Sequence, residues 1–127
     1  MNNWIIALSG VFGATGVVLG AVGSHVLKTQ LSQQGFDLFN TAITYLLMHA
    51  VVLLLVGVII GLYVENLWFK IAAGLFVVGI ILFCGGLILR TTLNFTVLGS
   101  LAPIGGSALI FGWLALCVGG FANRGKP

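Results

Sequence analysis

Four long runs of apolar residues dominate the chain, and short polar segments separate them. Each run is long enough to cross a hydrocarbon core of about 30 Å as a helix, which takes roughly 20 residues. None of the runs has the polar face that a helix on the surface of a soluble protein needs. The pattern therefore predicts four transmembrane helices, over residues 4–27, 40–63, 67–89 and 103–121.

The predicted connections between these helices are short. Residues 28–39 mix leucine and phenylalanine with glutamine and aspartate, and this mixture predicts a segment lying at the membrane interface. Residues 64–66 predict a tight turn. Residues 90–102 form the longest stretch outside the apolar runs, and their apolar members predict that this stretch dips into the interface.

Composition indicates the same class of protein. Of the 127 residues, 60% are hydrophobic and only 6% are charged, and the mean hydropathy is +1.22. Soluble domains contain about 25% charged residues, and a soluble protein of this size could not cover its surface with so few. The predicted fold class is therefore all-α, a glycine-rich integral membrane four-helix bundle that occupies residues 1–127 as one domain and leaves no room for a soluble catalytic domain.

The basic residues are scattered at the ends of the predicted spans rather than clustered. The sequence pI is about 9.2, but five isolated basic side chains form no patch, so nucleic acid is excluded as a partner. Four spans place both termini on one side of the membrane, together with Lys70, Arg124 and Lys126, whereas Lys28 and Arg90 lie on the other side. The positive-inside rule then favours, by one residue, termini in the cytoplasm.

Small residues recur every three or four positions in the first and fourth predicted spans. A period near 3.5 keeps such residues on one helical face, and small side chains let two helices approach closely in a membrane. We expect the first and fourth spans to pack tightly, against each other or against the second and third spans; the alternative is that a glycine face docks onto another protein. The predicted packing glycines are Gly13, Gly16, Gly20, Gly105, Gly112 and Gly119.

Ionisable residues inside a membrane span are candidates for function, and His49 is the best of them. It lies near the middle of the second predicted span, with Tyr45 one turn and Thr41 two turns before it, so that the three form a polar stripe. One interpretation is a proton-bearing or ligand-contacting site. The other is a neutral histidine that fills space opposite Gly16 and Gly112 and holds helices together.

No catalytic, metal or cofactor site emerges from the remaining polar residues. His25 is a second candidate, predicted to be an interfacial or loop-tethering residue. It lies about 14 Å from His49 in depth by helix rise, too far to share a zinc ion, whose bonds to nitrogen are about 2 Å. The chain has no C-x-x-C-H haem attachment motif. Asp37 and Glu65 are predicted on opposite sides of the membrane, so they form no acid–base pair, and a non-enzymatic protein is expected.

Pro103, Gly105 and Gly106 mark the predicted start of the fourth span. Proline suits the first turn of a helix because the amide it lacks would have no helical partner there. The glycines could leave backbone amides free to attract an anion at the helix N-terminus. A start signal combined with close helix packing explains the same residues.

Three runs of sequence resemble a small bacterial membrane family of unknown function, the YgdD/YwdK-like proteins, which has small mitochondrial transmembrane relatives. The runs are residues 20–25 (GAVGSH), residues 39–50 from Phe39 to His49 and Ala50, and residues 98–114, which include LG, PIGG and GWL. The resemblance implies four spans, a location in the bacterial cytoplasmic membrane and no assigned reaction, and it marks both histidines.

The chain departs from the pattern of that family at three places. The family usually has Ala-His-Gly where this chain has Ser24-His25-Val26, Gln where Leu46 stands, and Thr where Ala102 stands. The loss of these polar or hinge-like residues favours a structural role for the positions around them.

These observations predict an accessory or stabilising subunit that acts through lateral helix contacts, either in a larger membrane complex or between copies of itself. The reasons are the small size of the chain, the glycine faces of its helices and the lack of a soluble domain. The alternative is a minimal carrier or proton-linked channel that uses His49. A cofactor-binding module ranks third.

Overall fold

The computed structural model describes residues 3–63, 65–93 and 101–122, and this part of the chain is almost entirely helical. Four of its helical rods are long and apolar enough to cross a membrane, and we refer to them as the first to fourth spans. They are Trp4–Gln30, Gln33–Leu62, Leu67–Thr92 and Leu101–Ala122. The prediction of an all-α fold with four membrane-spanning helices is confirmed.

Two of the four spans contain a short π-helical segment, in which each amide bonds the carbonyl five residues back. The second span is the continuous helix α3 (Gln33–Leu62), and the fourth is α6 (Leu101–Ala122). The first span consists of α1 (Asn3–Val22), the π-helical segment Gly23–Leu27 and α2 (Lys28–Gln30). The third span consists of α4 (Leu67–Gly79), the π-helical segment Ile80–Cys84 and α5 (Gly85–Leu93).

The second span begins earlier than its apolar run, because Ser32 caps it. The Ser32 hydroxyl accepts a hydrogen bond from the Gly35 amide at 3.0 Å, and such a cap stabilises a helix start. Residues 33–39 therefore form the first turns of α3 rather than the separate interfacial segment that the sequence predicts. With 30 residues at 1.5 Å each, the helix is about 45 Å long, so its ends extend beyond a hydrocarbon core of about 30 Å.

Consecutive spans pack on one another: the first on the second, the second on the third and the third on the fourth. In the described residues, the first and fourth spans share no extensive contact. Of the two predicted arrangements for these spans, the structure has the one in which they pack against the second and third. The glycine faces point into these interfaces, toward α3 from the first span and toward the third span from α6.

The third and fourth spans meet in a seven-residue register. Three glycines of α6 oppose three phenylalanines of the third span, and both sets recur every seven positions, in opposite directions. A Cβ atom on Gly112 would lie 2.9 Å from the Phe76 ring, and one on Gly105 would overlap backbone atoms of Phe83. The two helices are thus as close as bare backbone allows. The pairs are Gly105 with Phe83, Gly112 with Phe76 and Gly119 with Phe69.

The interface between the first and second spans is less uniform. A Cβ atom on Gly16 would lie 2.6 Å from the Leu47 side chain, which is tighter than normal contact. One on Gly20 would lie 3.6 Å from the Ile43 side chain, and one on Gly13 would have nothing closer than 4.0 Å. Two of these three predicted packing glycines therefore have room for a methyl group.

Asn66 joins the turn between the second and third spans to the end of the fourth. Its side-chain amide donates a hydrogen bond to the Gly119 carbonyl at 2.9 Å, and its side-chain oxygen accepts one from the Trp68 amide at 3.0 Å, which caps α4. Asn66 is buried, and a buried amide needs such partners. The sequence predicts only a tight turn at this position.

Some sequence predictions concern residues outside the described ranges, namely residues 1–2, 64, 94–100 and 123–127. Most of the predicted loop after the third span lies there, as does the Leu98-Gly99 pair of the resemblance. Arg124 and Lys126, on which the predicted orientation depends, lie there too.

Candidate functional site

His49 lies at the centre of the second span, and both of its ring nitrogens are hydrogen-bonded. The side chain is 2% exposed. The indole Nε1 of Trp113 donates to His49 Nε2 at 3.2 Å, and His49 Nδ1 lies 2.9 Å from the Tyr45 carbonyl oxygen. Because an indole N–H can only donate, Nε2 must offer its lone pair and Nδ1 must carry the proton. The geometry therefore assigns a neutral Nδ1–H imidazole.

Three aromatic rings, from three spans, surround the imidazole. The Tyr45 ring is nearly parallel to it at a centroid distance of 5.8 Å. The Phe76 ring is tilted at 5.7 Å, and the Trp113 ring meets it edge-on at 6.0 Å. Phe76 and Trp113 also contact each other edge-on at 5.4 Å. Such ring contacts add to burial energy and fix ring orientation, so His49 is held in one place.

The immediate neighbours of His49 are therefore aromatic rings rather than glycines. Gly112 lies behind the Phe76 ring, and its missing side chain makes room for that ring beside the imidazole. Gly16 lies against Leu47, on the first-span side of α3. The glycine at position 112 thus acts on His49 indirectly, through Phe76.

A pocket of about 470 Å³ opens beside this cluster. Its wall combines the second, third and fourth spans, with Tyr45 and His49 from α3, Phe83 from the third span and Trp113 from α6. Met48 and Ile110, which are 46% and 61% exposed, stand at its rim. The pocket therefore opens on the outer surface of the bundle, where lipid lies, and its volume falls in the range of small-molecule sites.

Two of the residues that line the pocket, Tyr45 and Ser107, carry hydroxyl groups. The Tyr45 hydroxyl has no hydrogen-bond partner in the described part of the chain. The Ser107 hydroxyl donates to the Pro103 carbonyl at 2.9 Å and retains lone pairs that can accept. Aromatic walls with a few polar groups are typical of sites for flat, mainly apolar molecules.

The other predicted polar residues lie outside the pocket. Thr41 does not line it, and its hydroxyl donates to the Asp37 carbonyl of its own helix at 3.0 Å. The predicted stripe is thus divided, with Tyr45 and His49 in the pocket and Thr41 apart. His25 is exposed, in the π-helical segment of the first span. Within the described ranges, no group of three histidine, cysteine or acidic residues could hold a metal ion.

The predicted start motif of the fourth span lies at the same site. Pro103 lies in the first turn of α6 and, with Gly106, lines the pocket. Gly105 faces the other way, against the backbone of Phe83. Adjacent glycines of the motif therefore serve different surfaces, one at the packed interface and one at the pocket.

Sequence reasoning missed Trp113, Phe76 and Phe83 as site residues. A signal was available for Trp113, because an indole N–H in the middle of an apolar span needs a hydrogen-bond partner. His49 and Trp113 both lie near the middle of their spans, so their depth alone could have suggested the pair. For Phe76 and Phe83 the signal was their seven-residue spacing with Phe69, which matches the spacing of Gly105, Gly112 and Gly119.

Comparisons with known proteins agree with this membrane architecture. A family model described as "Protein of unknown function (DUF423)" matches residues 19–106. A UPF0382 membrane protein of Staphylococcus aureus (strain bovine RF122 / ET3-1) is 35% identical over 121 residues, which cover 94% of this chain and 97% of the relative.

Further relatives include a UPF0382 membrane protein of Staphylococcus saprophyticus, which is 33% identical over 117 residues, covering 91% of this chain and 95% of the relative. A UPF0382 membrane protein of Haemophilus influenzae is 28% identical over 120 residues, covering 94% of this chain and 93% of the relative. No solved structure matches the chain.

Proposed function

The chain belongs to the DUF423 family of proteins of unknown function, and from this premise we propose that it binds a small lipid-soluble molecule in the pocket beside His49. The role is non-enzymatic and of the carrier type that the sequence suggests for His49. The observation that supports it is the pocket of about 470 Å³, with aromatic walls and a Tyr45 hydroxyl that has no partner in the described residues.

The position of the pocket indicates how a ligand would arrive. The exposed rim at Met48 and Ile110 faces the lipid, so a molecule dissolved in the bilayer can enter sideways. A flat apolar body would contact the rings of Tyr45, Phe83 and Trp113, and one polar group would bond the Tyr45 hydroxyl. This combination of contacts favours an aromatic or ring-containing molecule with a single polar end.

The hydrogen bonds of His49 support ligand binding more than proton transfer. Both ring nitrogens are engaged, with Trp113 and with the Tyr45 carbonyl. A second proton, on Nε2 of His49, would face the indole N–H of Trp113, so that two donors would meet with no acceptor between them. A proton-linked channel would therefore have to break this contact in every cycle.

The test is to identify the small molecules that co-purify with the full chain. Wild type and variants are extracted from their native membrane in mild detergent, and the bound compounds are analysed by mass spectrometry. We expect a ring-containing compound in the wild type that is lost in Ser107→Phe, which fills the pocket, and reduced several-fold in Tyr45→Phe, which removes only the hydroxyl. His25→Ala is the matched control and should retain the compound.

Identical extracts from wild type and Ser107→Phe would contradict the proposal. Each variant is first checked for helical content and particle size, so that a misfolded protein is not mistaken for an empty pocket. The identified compound is then used in a liposome flux assay. His49→Ala is expected to abolish its flux, and unchanged flux would argue against a carrier role.

The accessory-subunit role is the second candidate. It is supported by the surface of the first span. The buried residues of this span form one narrow stripe, namely Ile5, Ser9, Gly16 and Gly23, and the rest of its surface is at least partly exposed, which leaves it open to contact with another subunit. Gentle extraction followed by size analysis tests this role. Stoichiometric co-migration with other membrane subunits is expected, and a particle that is always a lone monomer would exclude it.

We place the protein in the bacterial cytoplasmic membrane with its termini in the cytoplasm, on the basis of its basic residues and its bacterial relatives. Labelling of single cysteines introduced near Lys70 and Lys28 from each side of the membrane would test the orientation. Specific kinship with the YgdD/YwdK-like proteins stays a prediction.

A further inference from the structure

A second cavity, of about 440 Å³, lies at the membrane end where the first span meets the second. It is formed by the break between these two spans and by the last turn of the third span. Gln30 ends the first span, Gln33 begins the second and Thr92 ends the third. Three span ends at one level place this groove at the depth of lipid headgroups.

The groove contains one basic side chain. Arg90 lines it, is exposed, and has neither an ion pair nor a hydrogen bond with any group in the described residues. The chain has only two acidic residues. Asp37 accepts a hydrogen bond from the Gln33 side chain at 2.9 Å, and Glu65 lies in the turn at the other end of the bundle. The guanidinium of Arg90 is therefore available to an outside anion.

Two amide side chains supply further donors in the same groove. Gln30 and Gln34 both line it, and neither has a hydrogen-bond partner in the described part of the chain. They come from opposite sides of the break between the first two spans. Together with Arg90, they offer donors from three different segments that converge on one cavity.

We propose that this groove binds the phosphate group of an anionic membrane lipid. A guanidinium presents a planar fork of donors that matches two phosphate oxygens, and such charge-assisted hydrogen bonds are roughly twice as strong as neutral ones. The two glutamine amides bind the remaining oxygens. Among the described residues that line the groove, none is acidic and would repel the phosphate.

The lining of the groove favours a lipid phosphate over a free phosphate ion. Leu27, Leu31 and Leu38 lie in the same cavity as the polar donors. A free phosphate ion gains no binding energy from contact with leucine side chains. The glycerol and upper chain carbons of a lipid would instead cover these side chains and bury apolar surface. The site is separate from the pocket beside His49, so either proposal can fail without the other.

The test measures lipid preference in the purified full chain. Wild type in mild detergent is titrated with phosphatidylglycerol and, separately, with phosphatidylcholine, and bound lipid is counted by native mass spectrometry. We expect one phosphatidylglycerol per chain to bind about ten-fold more tightly than phosphatidylcholine, a preference that corresponds to about 1.4 kcal/mol. Arg90→Gln should abolish this preference, and Gln34→Ala should weaken it two- to three-fold.

Lys28→Gln is the matched control, because it removes the same charge at the same membrane end, from a residue outside the groove lining. It should leave the preference within two-fold of the wild type. Equal losses in Lys28→Gln and Arg90→Gln would overturn the proposal, since they would indicate a diffuse charge effect. A wild type with no preference for phosphatidylglycerol would overturn it as well.

Two further measurements complete the test. If Arg90→Gln fails to fold, Arg90→Lys decides instead: it retains the charge but loses the fork, and at least a three-fold loss of preference is expected, whereas full retention would contradict a bidentate contact. Inorganic phosphate at millimolar concentration should not displace the bound phosphatidylglycerol. Displacement that depends on Arg90 would assign the site to free phosphate and overturn the lipid assignment.

Discussion

The two glycine-rich interfaces of the bundle look alike in sequence and differ in structure. Both the first and the fourth spans carry small residues every three or four positions. In α6, Gly105, Gly112 and Gly119 each oppose a phenylalanine at a distance that leaves no room for a methyl group. In the first span, Gly16 and Gly23 are also tight, against the Leu47 and Phe39 side chains, but Gly13 and Gly20 have ordinary space around them.

This difference shows that glycine spacing predicts which face packs but not how closely. Closeness depends on the residue that the partner helix presents. The third span presents Phe69 and Phe76, large rings that fill the depressions over glycines, while α3 presents Ile43 and Ala50 to Gly20 and Gly13. The third–fourth pair also has the hydrogen bond from Asn66 to Gly119. We infer that it forms the rigid half of the bundle.

Gly105→Ala is the strongest test of this comparison. The new methyl group would overlap the backbone of Phe83, which cannot rotate away as a side chain can. We expect a loss of about 3 kcal/mol in the free energy of unfolding, measured by denaturation in mixed detergent micelles followed by circular dichroism. Gly106→Ala is the control, because its methyl group would lie 3.6 Å from the Phe83 ring, an ordinary distance. Equal stability of the two variants would refute the close contact.

Asn66→Ala tests whether the hydrogen bond from Asn66 to Gly119 stabilises the packing of the third span on the fourth. The change removes both the cap on α4 and the bond to the Gly119 carbonyl. We expect a loss of about 2 kcal/mol, since a helix cap contributes about 1 kcal/mol and a typical intramolecular hydrogen bond contributes about 1 kcal/mol. Asn66→Ser retains the capping oxygen and should lose about half as much. If the serine variant is as unstable as the alanine variant, the cap contributes little.

Gly20→Ala should have the smallest effect, and it tests the looser interface between the first and second spans. Its methyl group would lie 3.6 Å from the Ile43 side chain, so it adds contact without strain and removes a residue of low helix propensity. We expect a change in unfolding free energy within about 0.5 kcal/mol. Gly16→Ala, in the same helix, should cost more, because Leu47 must move. A large loss in Gly20→Ala would mean that both interfaces are equally tight.

The sequence predicted the membrane class, the number of spans and the packing faces, because these follow from hydrophobic length and from helical spacing. It also predicted His49 and Tyr45 as neighbours on one face, since they lie one turn apart. It did not predict the start of α3 at Gln33, because a single capping serine rather than an apolar run determines that boundary. Nor did it predict that the Thr41 hydroxyl donates to the Asp37 carbonyl of its own helix and lies outside the pocket.

By itself, the sequence determined that this chain crosses a membrane four times as helices, since roughly 20 apolar residues in a row have no other stable environment. Only the tertiary structure decided what His49 contacts. Its tautomer depends on the indole of Trp113, 64 residues away along the chain, and its pocket depends on rings from two other spans. Such contacts depend on the rotation and depth of each helix, which packing between spans decides and local sequence does not.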